Sequence, residues 1–386
     1  MNPTKVLVVG GGVAGSACAI QLRTHHLDVT LVEKSNFPRD KVCGCCIGGA
    51  GINMLENLSC HASLLNRATN ASTVDQPLLQ QIMAQAVQVK QWRGSLGGRT
   101  IQVDLPSGIA ISRSALDSTL LKTAQDAGCN VQMPCNARIT DVASQHVKVT
   151  LQHPTRSEQR EFDLVVLATG LNSQGLSSLL PWRESPHGPF GVSWTAHCDE
   201  ITPHVIHMAC DHDGYVGLIR LESGQVDVAA ALRSGSAAAQ RGSPSQRVQQ
   251  ILNRSSFPDF RWGPPSKVMT TPPLRRSRVA GKGRLLTVGD ASGYVEPFTG
   301  EGMTWGLQSG IALANLIGSY MKPTRQDPCS TIGEQWDSDQ QKLLRRKKRT
   351  CRIVTNALRS PWARKTIGTA LASFPKLATP LIRQLG

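Results

Sequence analysis

The chain has 386 residues and a formal net charge of +15, with 42 Lys and Arg against 27 Asp and Glu. That length exceeds what a single hydrophobic core organises, so two linked domains are expected, and the ordinary composition excludes a fibrous or low-complexity chain. No stretch of about 18 apolar residues occurs, which excludes a membrane-spanning helix, and eleven cysteines scattered without regular spacing predict reduced thiols in a cytoplasmic protein rather than a disulfide framework.

The apolar run Lys5–Val9 opens the chain. It superficially resembles a signal peptide, but a glycine cluster interrupts it. Val6–Val9 reads as a buried parallel strand, because it is β-rich and continuous rather than alternating. Gly10, Gly12 and Gly15 follow it, around Val13 and Ala14. Gly10 permits a tight turn, Gly12 lets a pyrophosphate approach the backbone, and Gly15 lets the next helix pack close to the strand. That helix, Ala14 to Arg23, aims its N-terminal N–H groups at phosphate. A second strand, Asp28–Val32, ends in Glu33 with Lys34 behind it. An acid at this spacing accepts hydrogen bonds from a ribose diol and argues against a 2′-phosphate. Strand, loop, helix, strand and acid in this order predict an adenine dinucleotide site.

Residues 35–51 carry Pro38 and a series of glycines and read as a loop containing Arg39, Cys43, Cys45 and Cys46. The cysteine spacing is wrong for zinc, and no histidine is close, so no metal is expected. Ile111–Arg113 reads as a strand feeding a helix through Leu116, Leu120 and Leu121 that stops at Gly128. Val131, Val147–Leu151 and Phe162–Leu167 read as further strands, the last ending at Ala168-Thr169-Gly170. From Trp182 to Pro273 the pattern alternates, around Val192–Ala196, Val205–Met208, Tyr215–Arg220 and Val226–Leu232. That predicts an antiparallel sheet with one face over a pocket. His187, His197, His204, His207 and His212 fall here and are candidates to bind or deprotonate a phenolic substrate, or plain surface and sheet residues.

Arg284–Val288 returns to a buried strand and delivers a second glycine cluster at Gly289, Asp290 and Gly293. It runs on into Gly300, Glu301, Gly302 and Met303, where a long helix begins and passes Leu316. Such a strand end can place a carboxylate near ribityl hydroxyls, and the helix N-terminus can aim N–H groups at the pyrimidine edge of a flavin. Glu296 beside Pro297 is expected to shape the loop. The tail holds twelve Lys and Arg from Gln340 on and no acid after Asp339, leaving about +3 for the rest of the chain. Its run Arg345–Arg349 suits an anionic membrane surface, nucleic acid or only water. Apolar residues from Ile353 to Leu381 recur at helical spacing between Pro361, Pro375 and Pro380. They read as capping helices or as an interfacial membrane contact, and no nucleic-acid-binding motif accompanies the charge.

The paired clusters resemble the FAD enzymes of the p-hydroxybenzoate hydroxylase fold. Phe37–Gly44 together with Gly293–Gly302 is most similar to geranylgeranyl reductases. The resemblance covers roughly residues 1–320 and implies FAD, with NAD(P)H as electron donor. It implies a Rossmann-like α/β FAD-binding domain (GR2-type), an inserted antiparallel-sheet substrate domain and a C-terminal helical tail. The FAD-binding domain is expected at residues 1–70, 111–180 and 276–322, the substrate domain at 71–110 and 181–275, and the tail at 323–386. Gly10, Gly12, Val13, Ala14, Gly15, Glu33, Lys34, Arg39, Arg113, Gly170, Gly289, Asp290, Gly300, Gly302 and Met303 are expected to hold the cofactor, with residues 137–139 along it. Cys43 is the catalytic candidate near ring and substrate. Two departures stand out: Thr169 replaces the family's Asp, and Tyr215-Val216-Gly217 replaces the aromatic segment lining a prenyl channel. The Trp-rich segment usual in flavin halogenases is absent. The expected function is an FAD-dependent reductase of an apolar or aromatic organic small molecule. The alternatives are a monooxygenase of a phenolic or polyketide substrate and a non-catalytic prenyl-binding module.

Overall fold

A computed structural model describes residues 3–68, 76–171, 178–184, 188–235, 242–296, 298, 300–321 and 329–374. Its helices are α1 (Val13–Arg23), α2 (Gly49–Ala68), α3 (Leu78–Gln85), α4 (Arg113–Asp126), α5 (Pro244–Asn253), α6 (Gly302–Tyr320), α7 (Ile332–Arg359) and α8 (Pro361–Ser373). Two large sheets organise them. The first has six strands, in the order Gly281–Lys282, Leu285–Thr287, Leu164–Leu167, Lys5–Val9, Asp28–Val32 and Asn130–Gln132. All its pairs are parallel except the one joining Gly281–Lys282 to Leu285–Thr287. Val6 and Val8 point into one core with α1, α4 and α6, while Leu7 points into another with Val147, Val149 and Leu151. Both faces are covered, which is why the central strands, Val6–Val9 and Leu164–Leu167, are unbroken runs of apolar residues.

The second sheet has seven strands, in the order Met269–Pro273, Phe190–Ala196, Val226–Leu232, Gly214–Arg220, Val205–Cys210, Gln91–Leu96 and Arg99–Asp104. The four alternating segments of the sequence are strands, as expected. The sheet is not purely antiparallel, however: Val205–Cys210 pairs parallel with Gln91–Leu96, a hairpin contributed from the early segment of the chain. Val226, Val228 and Leu232 pack beneath it with Val248, Ile251 and Leu252 of α5, a helix started by the Ser243–Gln246 capping box with Pro244 at its first turn.

Two expectations need correction. Phe162–Leu167 is not one strand. Ser157–Phe162 closes an antiparallel meander, Leu164–Leu167 belongs to the parallel sheet, and the break falls at Asp163. Asp163 donates its N–H to Lys5 O and accepts from Lys5 N, so it switches the chain from one sheet to the other. The glycines at 49 and 51 do not mark a loop but open α2. A Cβ on Gly51 would sit 2.5 Å from Ile47 and 2.6 Å from Thr304 Oγ1, so glycine there serves close packing rather than a turn.

Candidate active site

One cavity of about 1440 Å³ draws its lining from both large sheets and from the two last helices. At one end lies the first glycine cluster. Gly10 has φ +112°, and a Cβ there would lie 2.5 Å from Ala168 O. A Cβ on Gly15 would lie 1.9 Å from Gly10 O, so strand and helix can meet this closely only without a side chain. Gly12 is the N-cap of α1, with no side-chain cap and no acid in the first turn. The opening N–H groups of Val13 and Ala14 are therefore left for an anion. The Glu33 carboxylate, buried, accepts from Gly11 N at 2.9 Å and Ser35 N at 3.0 Å, with Arg39 at 3.5 Å. Arg39 stacks on Phe37 and has a buried Nε without a partner.

Arg113 opens α4 behind Gly12 and grips Asp117 through two hydrogen bonds, of 3.0 and 2.8 Å. Burial works against its charge, but Asp117 more than compensates and holds its pKa up. Asp117 was missed in the sequence, although its i,i+4 spacing from Arg113 on a helix was visible. Lys41 was missed as well. Its ammonium lies where a Cβ on Gly170 would be only 3.0 Å away, beside Arg113 and Asp290, and burial together with Arg113 lowers its pKa.

Cys43 lines the cavity and accepts from Cys45 N at 3.4 Å. The hydrogen bond from the Cys45 side chain pulls its pKa down to about 6; burial opposes this and Arg113 assists. Cys45 is pushed up by its bond to Cys43 and by burial, and Cys46 by burial. One thiol of the three is thus activated. Among the described residues no group of His, Cys, Asp and Glu is arranged to hold a metal ion.

The second cluster closes the cradle. Gly289 has φ +60°, donates its N–H to Ser309 Oγ at 2.9 Å, and brings Asp290 to the cavity wall. Gly300 has φ +75° and also lines the wall. The N-cap of α6, Glu301, offers no side-chain bond to the helix, leaving the N–H groups near Gly302 and Met303. Ala14 meets this cluster directly, because a Cβ on Gly289 would sit 2.8 Å from Ala14 Cβ, and α6 continues the contact at Gly310. Gly10, Gly12, Glu33, Lys34, Arg39, Cys43, Asp290, Gly300 and residues 137–139 thus surround one cavity. Val13, Ala14, Gly15, Arg113, Gly170, Gly289, Gly302 and Met303 stand behind its wall. Thr169 lines it with a buried, unpartnered hydroxyl.

The tail does more than cap. Helix α7 ties itself to the second cluster: Trp336 Nε1 donates to Thr287 O, Gln340 to Ser292 Oγ, and Lys348 Nζ to Gly293 O. Burial lowers Lys348 to about 8. Glu296 is fully buried between Arg275 at 2.9 Å and Arg359 at 2.7 Å, which makes it a structural anchor rather than an acid or base. Val354 and Leu358 of α7 and Ile367 and Leu371 of α8 then form a cavity wall. His187 falls outside the described residues. His197, His204, His207 and His212 do not line the cavity; His207 is buried edge-on against Phe257, where burial and then Arg93 lower it to about 4.

A family model described as "FAD binding domain" matches residues 3–328. The chain belongs to this family and is an FAD-dependent oxidoreductase. It is 28% identical over 340 residues to menaquinone reductase of Mycobacterium tuberculosis, covering 81% of this chain and 76% of that one. It is 24% identical to digeranylgeranylglycerophospholipid reductase 2 of Methanothermobacter thermautotrophicus, over 77% and 73% of the two chains. The crystal structure of p-nitrophenol 4-monooxygenase from Pseudomonas putida superposes with a TM-score of 0.75 at 13% identity, over 99% and 97%, a likeness of fold. The residues present fit FAD. Gly10 and Gly12 line the cavity without a side chain at the uncapped start of α1, and Arg39 with its unpartnered Nε and Thr169 with its unpartnered Oγ1 line the same cavity.

Proposed function

We propose that this flavoprotein reduces an apolar, isoprenoid- or quinone-like organic molecule, with NAD(P)H as donor. The observation that carries the reading is the composition of the cavity beyond Cys43. Trp92, Met208, Leu218, Leu274, Leu358 and Leu371 line it, and its total volume exceeds the 300–1,000 Å³ usual for one ligand. It has room for cofactor and substrate together. The cofactor supplies two-electron chemistry when bound. Gly12 with the α1 N-terminus would hold its pyrophosphate, Glu33 its ribose, and Asp290 its ribityl chain. Arg39, Lys41 and Arg113 stand along that wall, balanced by Glu33, Asp117 and Asp290. Cys43, whose thiol is pulled toward the thiolate, is suited to exchange a proton between solvent and substrate. The two reductases named above support the same reading.

A second reading, hydroxylation of an aromatic ring, draws on one observation. Tyr215 and Phe298 meet edge-on at 5.1 Å in the cavity wall, a geometry that receives a third ring. The test uses purified holoenzyme, reduced without oxygen by NADPH or NADH. It is then mixed with a short-chain menaquinone, a polyprenyl alkene, or oxygen plus a phenol. Faster flavin reoxidation by the quinone or alkene, with a product heavier by two hydrogens, is expected. Reoxidation by oxygen alone, with a product heavier by one oxygen, would replace the reductase with the hydroxylase.

A further inference from the structure

Ile353 is both a cavity-lining residue and 60% exposed. It therefore marks a place where the apolar cavity reaches the surface, between α7 and α8. Beside it on the second helix, Ile367 and Leu371 line the same cavity, and Phe374, at the end of that helix, is 66% exposed. Trp362, at the start of α8, is 78% exposed. Three of the four most exposed large apolar side chains among the described residues thus fall between positions 353 and 374. An aqueous surface gives no reason for that concentration.

The charges around them have one sign. Arg346 and Arg349 lie seven and four positions before Ile353 on α7, so they share its face, and Arg345 and Arg352 flank it. All four are exposed, as is Lys365 on α8. Of the other described tail cations, Lys347, Lys348, Arg359 and Arg364 are held by Gln308, Gly293 O, Glu296 and Leu358 O, and Lys342 pairs with Asp339. No acidic residue follows Asp339 to neutralise the exposed group.

We propose that this face docks on an anionic lipid bilayer, with Ile353, Trp362 and Phe374 entering the interface, and that the cavity mouth beside Ile353 is the route by which an apolar substrate leaves the bilayer. The route rests on the reductase reading; the docking does not. Apolar tips ringed by cations suit an anionic bilayer, which offers negative charge above a hydrocarbon layer, whereas a nucleic acid offers the charge alone. No helix among the described residues is long and apolar enough to cross a membrane, so contact is with the surface.

The full-length holoenzyme would be sedimented with vesicles of phosphatidylcholine alone and of phosphatidylcholine mixed with phosphatidylglycerol, without turnover. Preferential binding to the mixed vesicles, weakened by salt, is expected. Arg349→Glu with Arg352→Glu should lower the partition coefficient at least about tenfold. Ile353→Ser with Phe374→Ser should lower it similarly while the flavin spectrum stays unchanged. Trp362 emission should shift to the blue on binding, a change missing from Trp362→Phe. Equal binding to both vesicle types, or no response to the two double variants, would overturn the proposal. So would binding to random duplex DNA that is as tight as to vesicles and indifferent to Ile353→Ser with Phe374→Ser. Docking without quinone or alkene turnover would remove the substrate route and leave the surface standing.

Discussion

The two ends of the cavity recognise their contents by opposite means. The cofactor end is shaped by backbone: at Gly10 and Gly15 there is no room for even a methyl group, and amides at helix starts stand beside a few charged side chains, Glu33, Arg39, Lys41 and Asp290. The substrate end is built from side chains, drawn from a mixed sheet, an early hairpin and the last two helices. A backbone site fails as a whole when one atom is added. A side-chain wall changes in size and selectivity while the fold persists. The comparison explains why one cradle serves many chemistries and why the substrate wall decides among them.

The largest effect should come from the cradle. Gly15→Ala places a carbon 1.9 Å from Gly10 O. Flavin absorbance per protein should fall below about a tenth of wild type; retained flavin would mean that strand and helix slide apart freely. At the junction of the two ends, Cys43→Ser should leave flavin content intact and reduce turnover roughly 100- to 1000-fold. In the wild type, alkylation of Cys43 by iodoacetamide should rise with pH around a midpoint near 6. A midpoint near 9 would show that Cys45 and Arg113 do not activate it.

On the substrate side, Glu296→Gln leaves Arg275 and Arg359 without their buried counter-charge. Urea unfolding should show a loss of about 3 kcal/mol, with flavin retained and apolar ligand affinity weakened as α7 loosens. An effect of the same order, but confined to low pH, is at His207, whose folded pKa of about 4 lies below its ordinary 6.5. The unfolded chain takes up this proton first, so the stability tied to neutral His207 is full above pH 6.5 and is lost as pH falls toward 4. The loss is at most about 3 kcal/mol. His207→Phe should flatten that part of the pH–stability curve, while the cradle's response stays unchanged.

The same contrast governs what the amino-acid order reveals. The segment Lys5–Glu33 is legible almost to the residue, because its strands, turn and helix are set by neighbours a few positions away. Phe162–Leu167 misleads because Asp163 holds Lys5 through its backbone N–H and its side-chain carboxylate, which divides a continuous apolar run between two sheets. Gly51 misleads because a glycine needed for close packing looks like one needed for a turn. The cavity wall formed by Val354, Leu358 and Leu371 is invisible in sequence. Helical spacing marks these residues as buried, but only the fold shows that they face Leu96 and Tyr215 rather than a core of their own. Cys43 is recognisable by its motif, whereas its lowered pKa depends first on the Cys45 side chain turning back onto it and then on Arg113 arriving from a separate helix.

Ala14 touches Gly289 and Gly310, so the cradle joins the first glycine cluster to residues about 280 to 300 positions further along the chain. During synthesis, the first strand, turn and helix emerge long before their partner helix exists. Until residue 310 has left the ribosome, α1 lacks its packing face and the cofactor lacks half its contacts. Cofactor loading is therefore a late event in the life of each molecule. A polypeptide cut short before α6 should be found colourless, and a cell starved of flavin should accumulate full-length chains waiting for it rather than stalled ones.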